Sequence, residues 1–261
     1  MQKLPLSAYA DYISLIPLTL ANYPLAISIL LGNNPGQVWV DNSNKPQSFI
    51  ILSNSGYEQF IPLPAKTKVD PKVAIDICKT YQPMKIVWQP GWFDKAPWLA
   101  AGFRCIARQL FISRAVDVAY TAFLDAILNN IPDSYTFQPI TAELLPKCQW
   151  RDVMLNFYGS LDNFIVKGLG YALLRNNEIL SEAYSCFNGG TIIETGSVTQ
   201  PAERGKGYAT LIRAYLLKQC LNNNIQVMSS SNKNNPASGK ISLKLGLQPL
   251  PDYKFLYFGQ Y

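Results

Sequence analysis

A glycine-bearing turn between a strand and a helix constrains this chain more than any other feature. Glu194-Thr195-Gly196-Ser197-Val198-Thr199 runs into Gln200-Pro201-Ala202-Glu203-Arg204-Gly205-Lys206-Gly207 and then Tyr208-Ala209-Thr210. Thr191–Thr199 is rich in Ile, Val and Thr, which predicts a strand. Leu211, Ile212, Tyr215 and Leu216 recur at helical spacing with Ala214 between them, so a helix begins near Gly207. Gly205 and Gly207 let the backbone approach a ligand closely. A helix N-terminus entered through glycines offers free N–H groups and the positive end of the helix dipole, which makes an anion site. Arg204 and Lys206 add positive charge beside it. The chemistry implied is binding of a diphosphate.

With 261 residues, the chain has room for two small domains or one large one. A hydrophobic content of 48% supports a packed core, and the formal charge of +6 is compatible with a partner bearing phosphates. No Lys/Arg run or RNA-binding signature is present, so nucleic acid is not the expected partner. The absence of histidine excludes His-based triads, His general bases and His-containing zinc sites, and no metal is expected. Cys78, Cys105, Cys148, Cys186 and Cys220 are odd in number and show no CxxC spacing. They read as free thiols in a reducing compartment, the cytoplasm. Residues 13–31 are apolar, but Pro17, Asn22 and Pro24 interrupt them and only Lys3 among basic residues precedes them. A membrane span needs about 20 mostly apolar residues. A signal peptide is the competing reading; two short core helices around Pro17 and Pro24 are expected instead, with no membrane partner.

In the C-terminal part the patterns predict a strand at Tyr135–Ile140 and a short helix at Thr141–Cys148 with Thr141 as N-cap. A longer helix follows at Arg151–Phe164, breakable at Gly159. Leu169–Arg175 and Ile179–Phe187 form a hairpin across Asn176-Asn177. After Thr191–Thr199 and the helix Gly207–Asn222 come a strand Ile225–Ser231, a helix Pro236–Leu245 stopped by Gly246, and a strand Tyr253–Phe258. The first half repeats the later part of this order: helix Val73–Tyr81, strand Met84–Trp88, helix Trp92–Ala101 ended by Gly102, strand Phe103–Ile112, with Val38–Asp41, Ser48–Leu52 and Tyr57–Leu63 as earlier strands. Cys78 precedes Trp88 by the same interval that separates Cys220 from Ser230. The pattern reads as a weak internal duplication divided near Ile131-Pro132, into residues 1–131 and 132–261. The first half has Pro62, Pro64, Lys66 and Lys68 where the second has its glycines, so it is not expected to bind a cofactor in the same way.

The turn is neither a dinucleotide fingerprint, lacking the third glycine after a first strand, nor a P-loop. It resembles the Gln/Arg-x-x-Gly-x-Gly/Ala motif of the GNAT superfamily of acetyltransferases, standing here as Arg204-x-x-Gly207-x-Ala209. Downstream, Asn235-Pro236-Ala237-Ser238 and Lys244-Leu245-Gly246-Leu247 are similar to the family's Asn, Ala/Ser and Lys-Leu-Gly-Phe elements, with Leu247 in place of the usual aromatic. Both motifs lie in the family's order, separated by a strand, and cover roughly 133–258. The resemblance implies an α/β GNAT fold, a mixed sheet flanked by helices, in two GNAT-like halves of which the first is degenerate.

The resemblance also implies roles. The amides from Gly205 through Lys206, Gly207, Tyr208 and Ala209 to Thr210 face the diphosphate of acetyl-coenzyme A, while Arg204 and Lys206 either contact phosphates or stand solvated. Gly196, Ser197 and Val198 offer backbone groups to the pantetheine arm, as an added strand would. An amide on this strand polarises the thioester carbonyl. Glu194 is the candidate general base for an amine acceptor, against the reading of a solvated strand carboxylate. Asn235 and Ser238 contact the cofactor, although Asn235 before Pro236 is also a good helix cap. Ser242 matches the catalytic position where many members carry a tyrosine that protonates the leaving thiolate. Serine is a far weaker acid, which leaves that role open, and Tyr208 could take it only with its hydroxyl in the cleft. Trp88, Trp92 and Trp98 read as core or as walls of an acceptor pocket. The function expected is acetyl transfer to an amine by direct attack. The alternatives are a binding or regulatory protein on the same fold, and a transferase for another acyl or aminoacyl donor. The acceptor's identity and the oligomeric state are not readable from these residues.

Overall fold

The computed structural model describes residues 1–62, 71–80, 84–129, 131–132 and 134–259. Strand β1 (Gln2–Lys3) precedes a 3₁₀ helix at Leu6–Leu15, helix α1 (Tyr23–Leu30) and the strands β2 (Gly36–Val40), β3 (Ser48–Ser53) and β4 (Tyr57–Pro62). Helix α2 (Pro71–Thr80), β5 (Met84–Trp88), α3 (Ala96–Ala100), β6 (Arg104–Ile112) and α4 (Val118–Leu128) follow. The second half runs through β7 (Tyr135–Pro139), a 3₁₀ turn at Leu145–Lys147, α5 (Arg151–Tyr158), α6 (Leu161–Lys167), β8 (Gly170–Arg175), β9 (Glu178–Asn188) and β10 (Ile192–Thr199). It closes with a 3₁₀ turn at Pro201–Glu203, α7 (Tyr208–Asn222), β11 (Gln226–Asn232), α8 (Pro236–Lys244) and β12 (Gln248–Phe258).

Local chemistry accounts for most boundaries. Asn176 and Asn177 both adopt positive φ, 51° and 66°, which closes β8 and β9 with the turn type whose twist suits a hairpin. Gly159 at φ 78° ends α5, and the Ser160 side chain accepts from Asn163 N to start α6. Every residue of α1 from Pro24 to Leu30 is buried, which is why this segment reads as apolar all round; it is a core helix entered through Pro24.

Four expectations change. Around Pro17 the described residues form no core helix, because Pro17 holds Ile16 extended; the preceding Leu6–Leu15 is a 3₁₀ helix in which only Tyr9 is buried. Thr141–Cys148 is a turn followed by one 3₁₀ turn, because Pro146 cannot donate the helical bond and the segment is too short to compensate. The helix expected over Trp92–Ala101 starts only at Ala96, where Asp94 Oδ1 accepts from Ala96 N and Pro97 occupies the first turn. The last strand begins at Gln248 rather than Tyr253. Pro249 is tolerated because the Gln248–Leu250 stretch pairs only with β6, and a register shift follows before Tyr253. The region of Pro64, Lys66 and Lys68 lies outside the described residues, as does the Pro62 side chain.

Among the described residues twelve strands form one sheet in the order β1-β2-β3-β4-β5-β12-β6-β11-β10-β9-β8-β7. Within each half the strands are sequential and antiparallel until a single parallel pair, β4 with β5 and β10 with β11. At the centre the last strands are exchanged. β6 runs antiparallel to β11, β12 runs antiparallel to β5, and β6 and β12 pair with each other. One face carries a core that spans both halves, joining α1, α5 and α6 to residues such as Phe49, Tyr184, Met228 and Phe255. The opposite face carries two cores, one under α4 and α7 and one under α2 and α3.

Candidate active site

The parallel pairing of β10 with β11 lasts three residues and ends at Glu194 opposite Met228. A bulge between Glu194 and Thr195 shifts the register with β9, after which β10 follows β9 alone and β11 follows β6. The edge of Gly196, Ser197 and Val198 that faces β11 therefore has no strand partner among the described residues, and the gap between the two strands begins there. Gly196 is required by close approach: a Cβ would meet Tyr184 Oη at 3.0 Å and Cys186 Sγ at 3.1 Å.

Beyond the gap stands the turn. Gly205 and Gly207 have φ of 81° and 88°, conformations that side chains resist, and the space a Cβ would enter at either is open. Gly207 is the N-cap of α7 and no side chain caps the first turn; Thr210 N, expected among the free amides, is bonded to Gly207 O at 2.9 Å, which leaves those of Tyr208 and Ala209 at the helix mouth. Arg204 is exposed and donates from Nε to Thr199 O at 3.3 Å. Lys206 is committed to Glu203 at 2.9 Å, and Arg175 reaches the same carboxylate at 3.2 Å. Glu203 is held below the usual carboxylate range by Lys206 first. Tyr208 is buried, with its hydroxyl 2.9 Å from that of Tyr135; Ala209 is half-buried and Thr210 buried.

Glu194 is 7% exposed and faces the core shared by both halves. Ser230 Oγ donates to its Oε1 at 2.6 Å and accepts from Arg108 Nη2 at 2.9 Å. Burial raises the Glu194 pKa; Ser230, Arg108 and Asn22 pull it back down. Tyr57, Cys186 and Tyr253 also face Glu194, and burial raises each of them, so they stay neutral around it. Lys85 Nζ donates to the Tyr57 hydroxyl at 3.2 Å. Sequence reasoning missed Asn22, Tyr57, Lys85, Arg108 and Tyr253, because strand exchange brings most of them from the other half. Ser230 was findable, being two residues past Met228 on the same side of β11.

The first half contains a counterpart of this point. The β4–β5 pairing also lasts three residues and ends at Gln59 opposite Val87, so Gln59 holds the register position of Glu194. Its Nε2 donates to Ala21 O at 2.6 Å and Asn22 O at 3.1 Å. Those bonds hold the backbone at Asn22, which is fully buried in a left-handed conformation, φ 59° and ψ 36°, with its carboxamide turned to Glu194.

On the α7 side, Asn235 Oδ1 accepts from Ser238 N at 3.4 Å and caps α8. Ser238 O accepts from Arg213 Nη1 at 3.3 Å. Ser242 has no exposed surface; its Oγ accepts from Arg213 Nη2 at 2.8 Å and donates to Ser238 O. Arg213, which sequence reasoning did not single out, is buried without a carboxylate, and burial pulls its pKa down to about 10. A cavity of about 540 Å³ lies beside Met228, under the Leu18–Tyr23 segment, and none of its lining residues is charged. Trp98 and Trp88 pack in the core under α2 and α3, and Trp92 packs against the shared core. Among the described residues no helix is long and apolar enough to cross a membrane.

The fold has known counterparts. A solved GCN5-related N-acetyltransferase-like protein from Streptococcus suis superposes with a TM-score of 0.73 at 20% identity, over 97% of this chain and 100% of that one. A tandem GNAT protein from the clavulanic acid biosynthesis pathway superposes with a TM-score of 0.64 at 12% identity, over 99% of this chain and 98% of that one. In sequence, 103 residues are 29% identical to the uncharacterized N-acetyltransferase YdfB of Bacillus subtilis (strain 168), a match that spans 40% of each chain. The family model for GNAT acetyltransferase matches residues 18–256, nearly the whole chain. The chain belongs to the GNAT acetyltransferase family.

Proposed function

We propose that this protein transfers the acetyl group of acetyl-coenzyme A to an amine by direct attack, at the gap between β10 and β11. The observation that carries the reading is the placement of a buried carboxylate, Glu194, at the last paired residue before that gap, with an uncapped helix N-terminus across it. The residues present fit the donor. Gly205 and Gly207 leave open space, the first amides of α7 lack a cap, and the free edge of Gly196–Val198 can bond an extended arm. Bound there, acetyl-coenzyme A supplies an activated thioester. Arg204 is free to add charge at the turn, whereas Lys206 is neutralised by Glu203.

Glu194 is the base. An ammonium must lose a proton before it attacks, and a carboxylate raised by burial is matched to that work closer to neutral pH. Ser230 and Arg108 stabilise its ionised form and orient it. Backbone N–H groups on the free edge of β10 are the donors for the carbonyl oxygen. Ser242, locked to Arg213, is left without a part in proton transfer. We read residues 1–131 and 132–261 as two GNAT-like halves. Only the second binds the donor, since only its sequence has the Gly205 and Gly207 turn; the first also has Gln59 where the second has its base. The free cysteines support a reducing, cytoplasmic setting.

The experiment is release of free thiol from acetyl-coenzyme A in the presence of a panel of primary amines, with the acetylated product identified by mass. Amine-dependent release with an acetylated product is expected; release that is independent of every amine, or none at all, would contradict transfer.

A further inference from the structure

Around Glu194 the charges do not balance. Arg108 comes from β6 and Lys85 from β5, both strands of the first half; Arg108 stands beside Glu194 of the second half, and Lys85 beside Arg108 and Cys186. Arg108 Nη2 is bonded to Ser230 Oγ, and its Nε is buried with no partner. Lys85 Nζ donates to the Tyr57 hydroxyl and lies 4.4 Å from the centre of that ring. Neither cation makes an ion pair among the described residues. Glu194 is the carboxylate that faces Arg108, and its burial disfavours the ionised form. The neighbouring Tyr57, Cys186 and Tyr253 remain neutral and offer no compensation. Burial first, and then the Arg108 charge, pull the Lys85 pKa down, so two half-buried basic side chains with one carboxylate are costly to keep charged unless an anion closes the set.

We propose that Arg108 and Lys85 form a subsite for a carboxylate on the acceptor, so that the acceptor is an amine bearing an acid group near its nitrogen, as an α-amino acid does. This rests on the reading of Glu194 as the base that receives the amine. The guanidinium is held by Ser230 through Nη2 and has the Tyr253 hydroxyl beside it, while its Nε lacks a partner and can donate to a carboxylate; Lys85 stands next to it. The uncharged cavity beside Met228 cannot pair the acid group, but it can take an apolar side chain. The first half then has a function without a cofactor of its own: its strands β5 and β6 deliver the acceptor's anchor. The same cations could instead serve the oxygen that gains charge during transfer, but that would favour every amine equally.

A substrate ratio separates the two. Phenylalanine and phenethylamine differ by the carboxylate, as do alanine and ethylamine. We expect kcat/KM to favour the amino acid of each pair, and Arg108→Gln to cut that preference about tenfold or more. Arg108→Lys restores part of it, and Lys85→Met lowers it as well. Arg108 also acts on the Glu194 pKa, but that effect falls on both members of a pair and cancels in the ratio. Calorimetric binding of the same four ligands to the protein without cofactor reads the subsite even if no transfer occurs. No preference for the amino acids in either assay, or an equal loss for both members of a pair in Arg108→Gln, would overturn the subsite. A failure of coenzyme A itself to bind would overturn the transferase reading instead.

Discussion

At the scale of single residues, the proposed transfer rests most heavily on Glu194. Its place on the strand before the glycine turn was readable from the sequence; its partners were not, since Ser230, Arg108 and Asn22 are distant along the chain. Burial dominates and holds its pKa above the ordinary carboxylate value, against the opposing pull of those three. The sign for a base follows: activity should rise with pH as Glu194 ionises, with the midpoint above the usual carboxylate range. Glu194→Gln should lower turnover by about 10²–10⁴ and remove that acidic limb, while leaving the dissociation constant for coenzyme A unchanged. Steady-state rates across pH, with calorimetry on the same variant, check this. Full activity in Glu194→Gln at neutral pH would make the residue structural. Ser242 shows the other side of residue-level reading. Its match to a family position was visible, but the buried Arg213 that claims its hydroxyl was not, because nothing in the spacing marks an arginine in a helix as buried.

At the scale of elements, α7 and the turn before it were the most legible part of the chain, because two glycines, a helical apolar pattern and a preceding β-branched run all agree. The hairpin at Asn176-Asn177 was legible for the same reason: local turn chemistry and strand pattern coincide. Boundaries failed where proline chemistry decided them, at Pro97, Pro146 and Pro249. The start of α7 yields a sharp expectation. Gly207 has φ 88° and open space beyond it, so valine there is strained and places a branched side chain where the ligand is expected. The rest of α7 is anchored by Ile212, Ala214, Leu216 and Leu217, so the fold should survive. Gly207→Val should therefore abolish coenzyme A binding in calorimetry while its circular dichroism stays that of the parent protein. An unchanged dissociation constant would show that the turn does not hold the donor.

At the scale of the whole molecule, the sequence showed a repeated order of elements but not the exchange of β6 and β12. Hydrophobic alternation says that a strand is buried; it does not say which neighbour it pairs with, and two similar last strands fit either half by pattern alone. The exchange joins the halves through one sheet and one shared core. It also explains why the candidate site draws Arg108, Lys85 and Tyr57 from the half that lacks the glycine turn. The central claim is that one gap, that of the second half, binds the acyl donor. Calorimetric titration of coenzyme A into the intact chain tests it most directly. One site per chain is predicted, with a stabilisation of about 2.7 kcal/mol when ligand reaches about 100 times its dissociation constant. Two sites per chain, or no binding at millimolar ligand, would contradict the account.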